Sequence, residues 1–341
     1  MDQSPLPTLR DATAEANANA WLKGDYDPAT KKEVEELLQN FPEEALDAFY
    51  KNLSFGTGGM RGIMGVGSNR MNGYTVRAAT QGLANYLISQ NSEGAPLSVF
   101  IGYDSRKNSR FFAEESAKVL AGNGIRAYLC SDLRPTPLVS FGTRWLHCSA
   151  AIMVTASHNP KEYNGYKVYW SDGGQVLPPH DKKIVEDANA ILTPSQVKST
   201  ETLDSALIEI VGDDVDDAYL KALQNLSLLP DLTKTHGKEL KIVYSSLHGT
   251  GITLAPRALR LRGFLSLQFV EKQIIPDGEF PTAPYPNPEE KEALNLGIEA
   301  LERTGSDLFI ATDPDADRMG VVVAHQGEAS ILTGNQIACI L

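Results

Sequence analysis

Two stretches of the sequence share one order of elements: an apolar β-rich run, a helical run ended by glycine, and a second β-rich run. In the first stretch, strands are predicted at 97–103 and 126–130 and a helix at 111–121. The second stretch repeats this order between 240 and 270, with Gly263 after its helical run. Strands that alternate with helices imply parallel strands joined by helical crossovers. The repeat predicts an α/β protein made of tandem, similar three-layer α/β/α domains with mixed, mainly parallel sheets.

The length and local composition predict where these domains end. A chain of 341 residues has room for two ordinary domains and part of a third. Residues 193–217 are polar and acidic, which is typical of a connection between domains. We expect an N-terminal α/β domain at 1–205 and a second at 206–326. Residues 327–341, which are apolar from Ile331 onward, are expected to begin a third domain that the sequence leaves incomplete.

The overall composition favours a soluble globular protein. Hydrophobic residues make up 42% of the chain and charged residues 22%, as in globular proteins. The net charge of -12 argues against nucleic-acid binding, since a phosphate backbone attracts basic surfaces. No apolar run approaches the roughly 18 residues of a membrane span, and the N-terminus lacks the features of a signal peptide. The three cysteines indicate free thiols. We therefore expect a cytoplasmic protein without nucleic-acid or membrane partners; the oligomeric state is not predicted.

The segment TASHNP at 155–160 places a hydroxyl group on a polar turn after the apolar run 150–154. Asn159 and Pro160 do not continue a strand comfortably, so we expect Ser157 to be exposed at the edge of a sheet. A serine in this position could carry a phosphoryl group. Taken alone, it is more often a turn residue that bonds to the local backbone.

A tight turn predicted at Asn164-Gly165 would fold the strand 166–170 back beside this serine loop. Lys167 would then return near Ser157. A desolvated amine next to other cations can act as a general acid or base. The alternative is an ordinary solvated lysine on a strand.

Three aspartates, Asp313, Asp315 and Asp317, alternate directly after an apolar strand predicted at 308–312. In an extended loop their carboxylates would face one side and repel one another unless a cation lay among them. Oxygen ligands suit Mg²⁺. An acidic surface turn is the less favoured alternative, and the glycine and glutamate of a calcium loop are missing at the required offsets. Arg318, the next residue, could bind a phosphate and offset the carboxylate charge.

A glycine-rich loop at 56–62 could present backbone N–H groups to the same phosphate, with Arg61 beside it. Such a loop is weak evidence alone, because many are ordinary turns. Together, however, a hydroxyl that can carry a phosphoryl group and a site for a hard cation favour metal-assisted phosphoryl transfer.

These motifs together resemble the α-D-phosphohexomutase superfamily, which comprises phosphoglucomutases and phosphomannomutases. The form GTGGMRG at 56–62 and RMN at 70–72 are most similar to the long phosphoglucomutase branch, which also contains phosphopentomutases. The resemblance implies an intramolecular phosphotransferase, classed as an isomerase. The implied reaction interconverts α-D-glucose 1-phosphate and glucose 6-phosphate through a phosphoserine enzyme and a glucose 1,6-bisphosphate intermediate.

The resemblance also implies residue roles by position. Ser157 would be the phosphoserine, and an oxygen of its phosphate would bind one Mg²⁺ together with Asp313, Asp315 and Asp317. Lys167 occupies the position of the general base proposed for that family. The residues that would line the phosphoryl site are Arg61, His158, Asn159 and Arg318. Glucose 1,6-bisphosphate is expected as activator and intermediate, and sugar phosphates as partners.

Several alternatives remain open. The resemblance covers two complete domains of the family's four, so we expect this chain alone to turn over poorly. The residues that choose the sugar are expected beyond Leu341, which leaves phosphopentomutase and phosphomannomutase activity possible. A non-catalytic sugar-phosphate sensor and a phosphatase are the alternatives from other functional classes. An intact nucleophile and metal cluster argue against the sensor.

Overall fold

Two mixed β-sheets organise the computed structural model, which describes residues 8–53, 55–56 and 59–341. The signal-peptide prediction and part of the glycine-rich loop, Thr57 and Gly58, lie outside the described residues. The strands of the first sheet are β1 Phe55–Gly56, β2 Gly59–Ile63, β3 Ser98–Tyr103, β4 Arg126–Cys130, β5 Ala150–Val154, β6 Tyr163–Trp170 and β7 Ile208–Val211. Those of the second sheet are β8 Ile242–Ser245, β9 Leu267–Phe269, β10 Leu308–Thr312, β11 Met319–His325 and β12 Glu328–Leu332.

Helices connect and cover these strands. In chain order they are α1 Ala12–Lys23, α2 Pro28–Asn40, α3 Pro42–Phe49, α4 Gly73–Gln90, α5 Ser109–Gly122, α6 Thr136–Trp145, α7 His180–Asn189, α8 Asp213–Gln224, α9 Pro230–His236, α10 Gly251–Leu261, α11 Glu271–Ile274, α12 Lys291–Thr304 and α13 Gly334–Ile340. Within the described ranges, no helix is long and apolar enough to span a membrane.

The first sheet has the order β1-β2-β6-β5-β3-β4-β7. Its centre is parallel, because β3 pairs in parallel with both β4 and β5, and β7 continues in parallel from β4. The edge formed by β1, β2 and β6 is antiparallel. The first predicted unit is confirmed as β3, α5 and β4.

The second sheet has the order β12-β11-β10-β8-β9 and repeats this arrangement. β8 lies in parallel between β9 and β10, whereas β11 and β12 are antiparallel. The predicted repeat is confirmed as β8, α10 and β9. The predicted tandem α/β architecture is confirmed, with parallel strands at the centre of each sheet and antiparallel strands at one edge.

Both sheets extend past the positions where we predicted domain boundaries. β7 lies after residue 205 but completes its hydrogen bonds on β4 of the first sheet. β12 lies after residue 326 but pairs with β11 of the second sheet. The strand that follows each boundary therefore belongs to the preceding sheet, and the division into domains stays a prediction.

Three hydrophobic clusters underlie this architecture. The largest surrounds the first sheet and includes Phe100, Ile152 and Tyr166, and a second around Phe309 underlies the second sheet. Helices α1 to α3 form a separate small cluster around Trp21. Buried strands of the two sheets thus form a rigid base for the loops at their carboxyl ends, where ligands bind in α/β proteins.

Candidate active site

Ser157 lies in the loop that joins β5 to β6. Its backbone has a positive φ of 54°, a conformation that is uncommon for a residue with a side chain. The Ser157 N–H donates to Thr155 Oγ1 at 2.8 Å, and the Asn159 N–H donates to the Ala156 carbonyl at 3.1 Å. Surrounding contacts that fix such a strained turn are common at functional sites.

Arg106, just beyond the carboxyl end of β3, forms hydrogen bonds with the backbone of this loop. Its guanidinium donates to four carbonyl oxygens, at distances of 2.7 Å to Ser157, 2.6 Å to Asn159, 2.8 Å to Pro160 and 3.1 Å to Tyr163. Its Nε lies 3.2 Å from Asp104 Oδ2, and both side chains are fully buried. Burial raises the pKa of Asp104, and the charge of Arg106 opposes that shift. The buried ion pair thus anchors the conformation of the serine loop.

The predicted turn at Asn164-Gly165 is wrong, because both residues lie inside β6. The chain turns earlier, between β5 and β6. A Cβ at Gly165 would lie 2.5 Å from the Thr155 carbonyl and 3.0 Å from the Met60 carbonyl, so glycine permits the close approach of two backbones. Asn164 donates to the Lys107 carbonyl and to Ser109 Oγ at 2.9 Å each.

The three aspartates follow β10 and converge as predicted. One carboxylate oxygen from each lies within 4.8 Å of the others. They converge through a turn and not through the extended loop we expected, because Ala316 has a positive φ of 53°. The Arg318 N–H donates to Asp313 Oδ1 at 3.0 Å, and Thr136 Oγ1 donates to Asp315 Oδ2 at 2.9 Å.

The aspartate turn covers Ser157. Ser157 Oγ donates to Asp313 Oδ2 at 3.0 Å, a contact that joins residues 156 positions apart. Ser157 is 2% exposed, so the expectation that it would be exposed at the sheet edge is wrong. The second unit buries the hydroxyl group, and this long-range contact has no signal near Ser157 in the sequence.

Lys167 on β6 enters the same cluster. Its Nζ donates to Asp315 Oδ2 at 2.7 Å and to Asp317 Oδ2 at 3.1 Å. Burial lowers the pKa of Lys167, but the carboxylates of Asp315 and Asp317 outweigh burial and raise it above its usual value. The expectation that Lys167 lies next to other cations is therefore wrong, because its ion-pair partners are the carboxylates of Asp315 and Asp317.

The carboxylates of the cluster differ in their affinity for protons. Burial raises the pKa of Asp313 well above its usual value, and the charges of Asp315 and Asp317 raise it further. Burial also raises the pKa of Asp315, but the ammonium of Lys167 outweighs it and leaves that pKa lowered. Lys167 therefore compensates the charge of Asp315, while that of Asp313 lacks such a partner.

The remaining predicted residues lie on or beside the serine loop and the aspartate turn. His158 Nδ1 lies 3.2 Å from Ser157 Oγ, and Arg61 donates to Asn159 Oδ1 at 2.8 Å. Burial lowers the pKa of His158, and the cations Arg318 and Arg61 lower it further, which favours a neutral imidazole at pH 7. The Arg318 side chain is 43% exposed and its Nε lies 4.0 Å from Asp317 Oδ1. Two arginines thus remain accessible to an anion beside the serine.

The aspartate cluster fits a hard divalent cation. Its ligand atoms would all be oxygens, as Mg²⁺ prefers. Asp315 Oδ1 is buried and has no hydrogen-bond partner among the described residues. Three carboxylates outnumber the two cations that pair with them, Lys167 and Arg318, which leaves an excess of negative charge that a further cation would neutralise.

Sequence reasoning missed three supporting residues: Arg106, Asp104 and Thr136. Each follows the carboxyl end of β3 or β4, the sheet edge at which the Ser157 loop leaves β5. That shared edge was the available signal. The Gly249-Thr250 segment also supports the site, because Thr250 N–H donates to the Pro314 carbonyl at 2.8 Å.

Comparisons with known proteins agree with this geometry. Residues 52–194 match the phosphoglucomutase/phosphomannomutase alpha/beta/alpha domain I, and residues 217–327 match domain II of the same family. The chain is 38% identical over 329 residues to a probable phosphoribomutase of Schizosaccharomyces pombe, covering 94% of this chain and 55% of that protein. It is 36% identical over 313 residues to a phosphoglucomutase of Staphylococcus saprophyticus, covering 90% of this chain and 55% of the relative.

A solved structure shares the fold. It is a putative phosphomannomutase from Thermus thermophilus, with a TM-score of 0.65 and 26% identity over 80% of this chain and 57% of that one. The chain therefore spans about half the length of the relatives it matches.

Proposed function

Because this chain belongs to the phosphoglucomutase/phosphomannomutase family, we propose that it carries the phosphoryl-transfer centre of a sugar-phosphate mutase. The 3.0 Å contact between Ser157 Oγ and Asp313 Oδ2 carries this proposal, because it places a nucleophilic hydroxyl against a cation-binding cluster. We keep two α/β domains and the beginning of a third as the proposed organisation.

In the proposed cycle, Ser157 carries a phosphoryl group and passes it to a free hydroxyl of a sugar monophosphate. The sugar hydroxyl loses its proton as its oxygen bonds to phosphorus, and the bond from phosphorus to Ser157 Oγ breaks. The resulting bisphosphate turns over and returns its other phosphoryl group to Ser157. The sugar phosphate is thereby isomerised without net loss of phosphate.

Four residues support the transferring group. Arg61 and Arg318 bind its oxygens, Asn159 orients Arg61 through their 2.8 Å hydrogen bond, and His158 lies beside the serine oxygen. Lys167, whose pKa is raised by Asp315 and Asp317, gives its proton to the leaving Ser157 Oγ and takes up the proton that the sugar hydroxyl loses.

Asp313, Asp315 and Asp317 would hold Mg²⁺, with an oxygen of phosphorylated Ser157 as a further ligand. When bound, Mg²⁺ supplies positive charge beside the transferring phosphoryl group. Burial of Ser157 keeps water from the phosphoserine, which a mutase must not hydrolyse.

For the substrate, we propose α-D-glucose 1-phosphate and glucose 6-phosphate, with glucose 1,6-bisphosphate as intermediate and activator. Ribose and mannose phosphates are the alternatives, since similar relatives are named phosphoribomutase and phosphomannomutase. We also propose that the protein acts in the cytoplasm, consistent with three cysteines that form no disulfide among the described residues.

The test is an assay of the full-length protein with glucose 1-phosphate, mannose 1-phosphate and ribose 1-phosphate, each with Mg²⁺ and the matching bisphosphate. We expect isomerisation to be fastest for glucose, and release of free phosphate to be negligible. Faster isomerisation of ribose or mannose phosphate would contradict glucose phosphate as the proposed substrate and identify the other sugar phosphate in its place. Release of free phosphate in place of isomer would establish a phosphatase, and binding without either reaction would establish a sensor.

A further inference from the structure

A cavity of about 540 Å³ opens beside His158, the residue next to the proposed nucleophile. Apart from His158, the residues that line it come from the second unit, from the segment that precedes α12 and from the first turn of that helix. The proposed transfer chemistry does not use this segment, residues 282–292.

The segment is fixed at both ends by contacts within the second unit. At its start, Thr282 Oγ1 lies 2.9 Å from His248 Nε2. Near its end, a Cβ at Gly320 would lie only 2.3 Å from the Pro288 carbonyl, so the segment packs closely on β11, two residues after Arg318. The cavity wall is therefore positioned by the same backbone that leaves the aspartate turn.

The lining combines an aromatic ring with hydrogen-bonding groups of both kinds. Tyr285 is 64% exposed. Asn287 Oδ1 accepts from the Glu289 N–H at 3.1 Å, whereas Asn287 Nδ2 has no partner among the described residues. Within the same ranges, the carboxylates of Glu290 and Glu292 form no ion pair or hydrogen bond. A free amide donor and free carboxylate acceptors together match hydroxyl groups, which both accept and donate.

Charge distinguishes which part of a sugar phosphate can enter. Arg61, which bonds to Asn159, and Arg318, which lies beside Asp317, do not line the cavity, and they attract the phosphate beside Ser157. Glu290 and Glu292 lie on the cavity side, and their charge disfavours a phosphate there. An uncharged, hydroxyl-rich group is the complementary occupant of the cavity.

We propose that this cavity is a subsite for the sugar ring, in which Tyr285 stacks on the ring while Asn287 and Glu290 bind its hydroxyl groups. The proposal rests on the proposed function and assigns part of sugar recognition to the second unit. A few placed polar groups beside an apolar surface are the usual composition of small-molecule sites.

Two substitutions in the full-length protein test this subsite by steady-state kinetics. For Tyr285→Ala we expect KM for the sugar phosphate to rise about tenfold, as expected for loss of one stacking contact, with kcat changed less. Tyr285→Phe should restore the KM. Asn287→Asp keeps the oxygen that accepts from Glu289 but removes the donor, and we expect KM to rise to a similar extent. Tyr50→Ala, at an exposed tyrosine directly after helix α3, is the matched control and should leave KM unchanged.

A binding measurement separates this inference from the proposed function. Titration of the full-length protein with glucose 6-phosphate, followed by tyrosine ring signals in NMR, should perturb Tyr285 whether or not turnover occurs. Normal phosphorylation of Ser157 with an unchanged KM in both variants would overturn the subsite alone. Perturbation of Tyr285 without phosphorylation of Ser157 would support the subsite and overturn the proposed function. If Tyr285 is not perturbed and Ser157 is not phosphorylated, both the subsite and the proposed function are overturned.

Discussion

Arg106 Nη2 lies 2.7 Å from the carbonyl oxygen of Ser157, so a fully buried guanidinium is bonded directly to the backbone of the proposed nucleophile. The same guanidinium lies 4.9 Å from the ring centroid of Phe280, a buried residue of the second unit. The conformation of the serine loop therefore depends on residues from both units.

Substitution of Arg106 should cost both stability and transfer. Arg106→Met leaves Asp104 buried without its partner, and breaking a buried pair costs about 3–5 kcal/mol. We expect a loss of this size in the free energy of unfolding measured with urea, together with reduced phosphorylation of Ser157. Arg110→Met, at a residue whose side chain is 71% exposed, is the control and should cost under about 0.5 kcal/mol. An equal effect of the two substitutions would contradict the anchoring role.

Gly249 should control the position of the aspartate turn. A Cβ at this position would lie 2.3 Å from Pro314 Cα, so Gly249→Ala must displace the backbone between Asp313 and Asp315. We expect the affinity for Mn²⁺, measured by electron paramagnetic resonance, to fall by about tenfold or more. Gly334→Ala is the control, because its nearest atom is the flexible end of Glu289 at 3.3 Å. Unchanged Mn²⁺ affinity in a folded Gly249→Ala protein would show that the turn is not placed by this contact.

Lys167 should have opposite effects on transfer and on cation binding. Its ammonium neutralises Asp315 and Asp317, so Lys167→Met should bind Mn²⁺ at least as tightly as the unaltered protein. Transfer to the sugar should nevertheless fall by about 10²-fold or more, because the proton donor is lost. Calorimetric titration and a transfer assay measure the two effects, with Lys221→Met, at an exposed position of helix α8, as control. If Lys167→Met binds Mn²⁺ more weakly but transfers the phosphoryl group normally, Lys167 supports cation binding and is not the proton donor.

An ion-pair cluster between the two units should make their contact depend on pH. Lys107 and Lys161 of the first unit both pair with Glu279 of the second, and these hydrogen bonds lower the Glu279 pKa from 4.5 to about 2. A lowered carboxyl pKa stabilises the folded state above the unfolded value and loses that effect as pH falls towards the folded one.

We therefore expect Glu279→Gln to be slightly less stable than the unaltered protein at pH 7, and the difference to shrink between about pH 4.5 and 2. Urea unfolding of both proteins at several pH values across that range measures this difference in the free energy of unfolding. The pairs are exposed, so 1 M salt should also reduce the difference. A difference that grows on acidification would contradict the pairing.

Local patterns predicted the elements and the motifs well, but not the contacts between distant segments. The β3–α5–β4 unit and its repeat follow from local hydrophobic periodicity. The alternation of the aspartates predicted that their carboxylates meet, although a turn at Ala316, and not an extended loop, brings them together. Burial of Ser157 depends on a turn 156 residues away, and Gly165 is a strand residue because another backbone passes close to it. Such contacts are set by tertiary packing, which overrides the local turn preference of Asn-Gly.

The central claim is that Ser157 is the residue that carries the phosphoryl group. The most direct measurement is the intact mass of the full-length protein, with peptide mapping, after incubation with glucose 1,6-bisphosphate and Mg²⁺. We predict a gain of one phosphoryl group on Ser157 that is absent in Ser157→Ala and retained in Ser92→Ala, a serine on an exposed turn. A protein that gains no phosphoryl group, or gains one that survives Ser157→Ala, would contradict the account.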